Sequence, residues 1–380
     1  MIIKRNAFDL IKEKLEPGKV LVIYGPRRVG KTFLLEKISQ DKFFNKEKIV
    51  LFKGDRKAVQ DTFSSGNLNS MKDFIGRETT ILIIDEAQKI NQIGANLKIL
   101  VDEIPHLKII ASGSASFELA NQLGEPLTGR KKTIKLFPVW TKELIDTKSR
   151  LFYEEIFSQH LIYGGYPEIF TKNSLKEKKE YLEDLVDDYL FRDILELESI
   201  KNSKKLRDLL SLLAFQIGTE VSLNELGNNL DLHKNTVARY LDLLEKSFII
   251  INIRGFSRNL RKEIYKTSRW YFYDNGVRNV LINNFNPPNL RNDIGALWEN
   301  YIVMERLKKQ AYQAIYSNNY FWRTYDKKEI DWVEERGGKL YGYEIKWSKD
   351  KVKPPNDWLK TYKNASFQTI SKNNYLPFII

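Results

Sequence analysis

Gly25-Pro26-Arg27-Arg28-Val29-Gly30-Lys31-Thr32 carries the spacing G-x-x-x-x-G-K-[ST], and each fixed residue type answers one demand of holding a polyphosphate. Glycines at 25 and 30 let the backbone curl into a nest whose N–H groups converge on anionic oxygens. Lys31 brings a point charge to the outer phosphates, and Thr32 offers a hydroxyl to Mg²⁺. Gly25 to Phe33 are therefore the candidate nucleotide contacts. Downstream, the apolar run TTILIIDE (79–86) ends in two carboxylates. Asp85 stands where it could hold the Mg²⁺ shell, and Glu86 where it could polarise a water for attack on a γ-phosphate. Ser114 closes LKIIASGS (107–114) and is preferred to Ser112 as a γ-phosphate sensor; a serine in an ordinary strand-end turn is the plainer reading. Arg130, in GRKK (129–132), could serve as an arginine finger in cis or across a subunit boundary, or could belong to a solvated basic loop.

A second constellation lies near the C-terminus. Glu344 and Lys346 are two apart, so on a strand they share one face. Asp331 precedes them across Gly337-Gly338, on the neighbouring strand of an expected hairpin. Asp followed by Glu-x-Lys on adjacent strands suits a Mg²⁺ nuclease, with Asp331 and Glu344 on the metal and Lys346 orienting the attacking water. Glu299, on an upstream helix, could join the catalytic set. An ordinary charged hairpin accounts for the same spacing.

These residues need positioning elements. Val20–Tyr24 reads as a buried parallel strand and Phe33–Ile38 as a helix whose N-terminus faces the anion. Further strands are expected at Glu47–Phe52, 79–86, 107–114 and Ile134–Phe137, with a helix within 56–75. Alternating strands and helices imply a parallel sheet with its site at the strand C-terminal ends. Residues 141 to about 215 read as helices, broken at Gly164-Gly165-Tyr166-Pro167, with a solvated acidic face on Tyr181–Leu197. From 204 the order is helix, short helix 224–230, amphipathic helix Lys234–Lys246, then strand Phe248–Arg254, the order of a winged helix-turn-helix. His233, Lys234, Asn235 and Arg239 would face nucleic acid, and Arg254, Arg258, Arg261 and Lys262 could form a basic wing. Winged helices also serve as dimer or interdomain modules. The expected division is 1–140, 141–203, 204–285 and 286–380.

Composition narrows the chemistry. The 380 residues suffice for two or three cores. With no cysteine, disulfides, zinc-thiolate sites and Cys nucleophiles are excluded. Three scattered histidines leave carboxylates and hydroxyls as metal donors, which suits Mg²⁺. Apolar runs are too short to span a bilayer, and MIIKRNAFDL lacks a signal-peptide core, so a cytoplasmic location and no membrane partner are expected. The net charge of +13 fits a polyanion partner such as DNA, or simply lysine-rich coding.

Taken together, GPRRVGKT (25–32), ILIIDEAQK (81–89), ASGSAS (111–116), LTGR (127–130), FPVW (137–140), GGYPEIF (164–170), Trp298-Glu299-Asn300, Glu329-Ile330-Asp331 and Tyr343-Glu344-Ile345-Lys346 resemble a bacterial and archaeal group of AAA+ ATPases. In that group an ATPase domain is fused to a C-terminal region with a PD-(D/E)xK nuclease-like fold. Val139-Trp140 stands where the group usually has Ser-Phe, a difference that looks structural. The resemblance implies an α/β chain: a P-loop AAA+ ATPase domain, a helical lid, a winged helix-turn-helix, then a restriction-endonuclease-like domain. ATP and Mg²⁺ are the implied cofactors, with DNA as partner and a homo-oligomer compatible with Arg130. The nuclease-like fold could cut DNA, or bind without cutting.

Overall fold

A computed structural model describes residues 1–114, 126–187, 203–256, 268–324 and 326–380. The chain forms two compact units: Ile2–Val139 with Lys246–Phe248, and Trp140–Glu245 with Ile249–Ile380.

The N-terminal unit is built on apolar runs short enough to be strands and buried on both faces. Its elements are α1 (Asn6–Lys14), β1 (Val20–Tyr24), α2 (Lys31–Ser39), β2 (Ile49–Lys53), α3 (Lys57–Phe63), α4 (Leu68–Ile75), β3 (Ile81–Asp85), α5 (Ile93–Glu103), β4 (Lys108–Gly113) and β5 (Lys131–Lys135). All five strands are parallel, in the order β2-β3-β4-β1-β5. β3 is buried along its whole length, as expected of a strand inside a sheet covered on both faces. Two expectations need correction. The 56–75 segment is two helices, parted at Gly66, whose φ is +69°. The last strand is 131–135 rather than 134–137: its register pairs Val20 with Lys131, and as an edge strand it tolerates the exposed Lys131 and Thr133.

The second unit continues with α6 (Thr141–Thr147), α7 (Arg150–Tyr163), α8 (Leu175–Asp184), α9 (Ser203–Phe215), β6 (Glu220–Val221), α10 (Leu223–Leu230), α11 (Lys234–Lys246), β7 (Ile250–Gly255), β8 (Ser268–Phe272), α12 (Asn275–Leu281), α13 (Ile294–Tyr312), β9 (Asn318–Arg323), β10 (Glu329–Arg336), β11 (Lys339–Ile345), α14 (Asn356–Thr361), β12 (Ala365–Ile370) and α15 (Leu376–Ile379). The segments expected as 141–203, 204–285 and 286–380 thus lie in one compact unit. Strands of the last two join in a single seven-stranded sheet, β12-β11-β10-β9-β7-β8-β6. The join is β7 running parallel to β9, with Arg254 beside Tyr320.

The GGYP break has a specific cause. Gly164 ends α7 with φ +77°, and a Cβ there would sit 1.9 Å from the Asp274 carboxylate. Asp274 accepts hydrogen bonds from the Gly165, Gly276 and Val277 amides at 2.7, 2.8 and 3.3 Å. One buried carboxylate therefore ties the end of α7 to the start of α12. Burial pushes that carboxyl up, against the pull of the three amides. Trp140 is buried and donates to the Ile379 carbonyl at 2.7 Å, a structural role for one of the two residues that differ from the resembled group. Arg306 of α13 forks onto Glu334 of β10 at 2.6 and 2.8 Å with both side chains buried.

Candidate functional site

The phosphate loop follows from backbone geometry. Gly25 has φ +158° and lies so close to β5 that a Cβ would meet the Leu136 carbonyl oxygen at 2.1 Å. Gly30, at φ +91°, caps α2, and Arg28 also takes a left-handed conformation at φ +58°. The loop thus turns at residues 28 and 30 and presents the N-terminus of α2, an end that favours anions. Lys31 is buried, its ammonium folded onto the Gly25 and Pro26 carbonyls at 3.0 and 2.8 Å. Val29 is buried, Arg27 and Gly30 are half-buried, and Arg28 and Phe33 are exposed beside the loop.

The carboxylates arrive at the same place. Thr32 Oγ1 donates to Asp85 Oδ2 at 2.6 Å. Ser112 donates to the other oxygen of Asp85. Gln88 Nε2 reaches Glu86 Oε2 at 2.5 Å and Ser114 Oγ at 3.2 Å, so it bridges the two residues. Lys31, Thr32, Asp85, Glu86, Ser112 and Ser114 all stand at the C-terminal ends of β1, β3 and β4. Both serines therefore belong to the site: Ser112 on the aspartate, and Ser114 beside the glutamate through Gln88.

Arg130 is elsewhere. It precedes β5, its carbonyl accepts from the Val20 amide, and its guanidinium pairs with Asp102 at 2.6 Å. That is the N-terminal edge of the sheet, about 16 Å along the strands from the loop. A finger acting in cis is inconsistent with this placement, because Arg130 lies at the N-terminal end of the parallel β1–β5 pair and the loop at its C-terminal end.

Three further residues support the site. Arg5, buried, donates to the Val29 and Phe137 carbonyls at 2.7 and 2.6 Å and so pins the loop to the segment after β5. Gly54 donates to the Asp85 carbonyl at 2.7 Å, and a Cβ there would lie 2.4 Å from the Glu86 carbonyl. Gln88 is the third. Only Gln88 and Gly54 left a sequence trace, as the polar residue after Asp-Glu and the glycine after a strand.

Thr32 and Asp85 supply hard oxygen donors in mutual contact, a set that fits Mg²⁺. A parallel sheet with a phosphate loop on one strand and an acidic pair on another defines this unit as a P-loop domain of AAA+ type. Residues 17–145 match the AAA domain family, and 154–288 and 294–370 match two domain families of unknown function. Uncharacterized proteins of Mycobacterium tuberculosis and Methanocaldococcus jannaschii are each 26% identical. They cover 91% and 85% of this chain, and 74% of their own lengths. An uncharacterized Haemophilus influenzae protein is 24% identical over 90% of this chain and 85% of its own. Among solved structures, AMPPCP-bound DnaA from Aquifex aeolicus aligns with a TM-score of 0.34 at 14% identity, covering 63% of this chain and 86% of that one.

The C-terminal cluster also assembles. Two residues of β10, Asp331 and Trp332, stand opposite Phe321 alone, because the pairing shifts between Ile330–Trp322 and Val333–Tyr320. Such a bulge re-aims a side chain. Asp331 Oδ2 accepts from the Ile345 amide at 2.9 Å and lies 3.4 Å from Lys346 Nζ, which is 2.7 Å from Glu344 Oε1. Glu299 accepts from Tyr271 Oη at 2.7 Å. Burial, then the Asp331 charge, pushes Glu299 up to about 8 and Glu344 up to about 7. Burial alone would lower Lys346, but Asp331 and Glu344 outweigh it and hold the ammonium above its usual range. Sequence reasoning missed Arg269. It sits in β8 with Nη1 3.5 Å from Asp331 and 3.8 Å from Glu299, and Nη2 2.6 Å from Glu329.

In the helix-strand segment, α9, β6, α10, α11, β7 and β8 follow in that order, with β8 antiparallel to both β6 and β7. Val237, Tyr240, Leu241 and Leu244 bury one face of α11. His233, Lys234, Asn235 and Arg239 are exposed around its first turns, as is Arg254 on β7. Arg258, Arg261 and Lys262 lie outside the described residues, as do Ala115, Ser116 and the 188–197 part of the expected acidic helix.

Proposed function

We propose that this chain is an ATP-binding and ATP-hydrolysing switch or motor that acts on DNA. The Thr32–Asp85 contact of 2.6 Å carries the reading, because it brings the hydroxyl of the phosphate loop to the acidic strand end. Loop amides and Lys31 hold the phosphates, and Thr32 and Asp85 hold Mg²⁺. When bound, the ion neutralises phosphate charge. Glu86 orients a water and takes its proton as the water attacks the γ-phosphorus. The bond to the bridging oxygen breaks, releasing ADP and phosphate. Ser114 and Gln88 hold Glu86 in place until a γ-phosphate arrives. Arg130, if it acts as a finger, does so on a neighbouring subunit's site.

DNA is the favoured macromolecular partner. Support comes from the +13 charge, from the winged-helix order of α9–β8 and from the exposed basic turn of α11. The cluster of Glu299, Asp331, Glu344 and Lys346, on a helix and a bulged hairpin, is nuclease-like in its residue types. A second reading, a nucleotide-gated DNA- or protein-binding module that does not cut, is favoured by Arg269 standing among those carboxylates.

Mg²⁺-dependent phosphate release, with and without single-stranded, duplex and branched DNA, tests the proposal. Lys31→Ala is expected to abolish turnover, and retained turnover would overturn the ATPase reading. DNA nicking lost in Asp331→Asn would decide for a nuclease; salt-sensitive DNA binding without nicking would decide for the gated module.

A further inference from the structure

We infer that Arg269 is the resident cation of the C-terminal acidic cluster, occupying the place a divalent ion would need, so that the cluster as built is an ion-pair lock between β8 and the β10–β11 hairpin. This goes beyond the ATPase reading and does not depend on it.

The geometry is specific. Arg269 is 3% exposed, and its two terminal nitrogens reach Asp331, Glu299 and Glu329. Phe321 lies against the guanidinium 4.6 Å away. Lys346 fills the other side, between Asp331 and Glu344. Among the described residues, no three acidic or histidine side chains converge on one point as a metal requires. A divalent ion needs carboxylate oxygens within about 2.0–2.6 Å. At that distance from Asp331 it would stand beside two fixed positive groups in a buried setting, where like charges repel strongly. The residue types fit Mg²⁺, but their arrangement does not.

Two loose ends show that this is more than a filled structural network. Glu344 Oε2 and Arg269 Nε are both buried and have no hydrogen-bond partner among the described residues. Glu344 is 7% exposed, and its other oxygen is held by Lys346 within the cluster. A buried carboxylate oxygen left open there is a free ligand position. Removing the Arg269 charge would leave Glu299, Asp331 and Glu344 facing Lys346 alone, and the released charge would favour a divalent ion.

The test uses the full chain without nucleotide, titrated with Mn²⁺ and read by the electron paramagnetic resonance signal of free Mn²⁺. In the wild type, adding Asp331→Asn should not change the number of ions bound. Arg269→Gln should gain one bound Mn²⁺ over the number bound by the wild type. Adding Asp331→Asn to Arg269→Gln should abolish that gain, and Arg269→Lys should behave as the wild type. A Mn²⁺ in the wild type that Asp331→Asn removes would overturn the inference. So would a folded Arg269→Gln protein, judged by circular dichroism, that gains no ion. If Arg269→Gln does not fold, the wild-type and Asp331→Asn comparison still decides. The phosphate-release assay scores the ATPase reading separately.

Discussion

At the scale of single residues, the candidate phosphate site depends on groups that hold other groups. Lys31 rests on two loop carbonyls, Thr32 on Asp85, Asp85 on Ser112, and Gln88 on both Glu86 and Ser114. Arg5 shows the principle most simply, since its guanidinium fixes the Val29 carbonyl of the loop. Hydrogen bonds to a charged donor contribute about 1.5–3 kcal/mol each. Arg5→Ala is therefore expected to weaken ATP affinity about tenfold or more while the chain stays folded. Calorimetric titration with a non-hydrolysable analogue checks this, and unchanged affinity would show that the loop holds its shape alone. The motif residues were legible because phosphate chemistry ties residue type to local spacing. Arg5 and Arg269 were not, because their partners lie far away in the chain and no local pattern marks them.

At the scale of elements, the parallel sheet was legible because both faces of its inner strands are buried and read as continuous apolar runs. β8 and β9 escaped notice. β8 is a short aromatic run, SRWYF, and its strand character comes from pairing with β6 and β7. The bulge at Asp331 depends on the register against β9 and has no signature of its own. Helix α11 was legible from its amphipathic period, and it carries the element-scale prediction. Lys234→Glu with Arg239→Glu should weaken duplex DNA binding at low salt and flatten the slope of log affinity against log salt by about two. The same slope in wild type and variant would move the DNA contact to another face. Both substitutions are on exposed positions, so folding should be unaffected.

At the scale of the whole molecule, the chain joins two differently built units. The second unit buries one of its two histidines, His160. His160 lies among the rings of Tyr153, Phe170 and Tyr301 and is pushed down to about 4 by burial, with Glu305 pulling it up and Lys308 down. The unfolded chain takes up this proton near its ordinary 6.5, whereas the folded chain does so only near 4. Stability should therefore fall as pH drops from about 7 toward 4, by roughly 3 kcal/mol at most from this residue. Thermal unfolding between about pH 7.5 and 5 should lose less in His160→Gln than in the wild type; equal losses would assign the acid sensitivity to other groups. The sequence places its first boundary at 140, where Pro138 ends the strand–helix alternation, and the compact units part at Val139/Trp140. The further boundaries do not separate units: one sheet continues across the expected 285/286 boundary, and no local pattern announces the β7–β9 pairing that joins it.

In the proposed mechanism the assembled phosphate loop and acidic strand end bind ATP and hydrolyse it, with Glu86 acting on the water and not on the nucleotide. Measuring ATP affinity and phosphate release side by side in wild type and Glu86→Gln tests this most directly. Near-normal affinity is expected, with turnover reduced by about 10²–10⁴-fold. Undiminished turnover in Glu86→Gln, or no ATP binding by the wild-type chain, would contradict it.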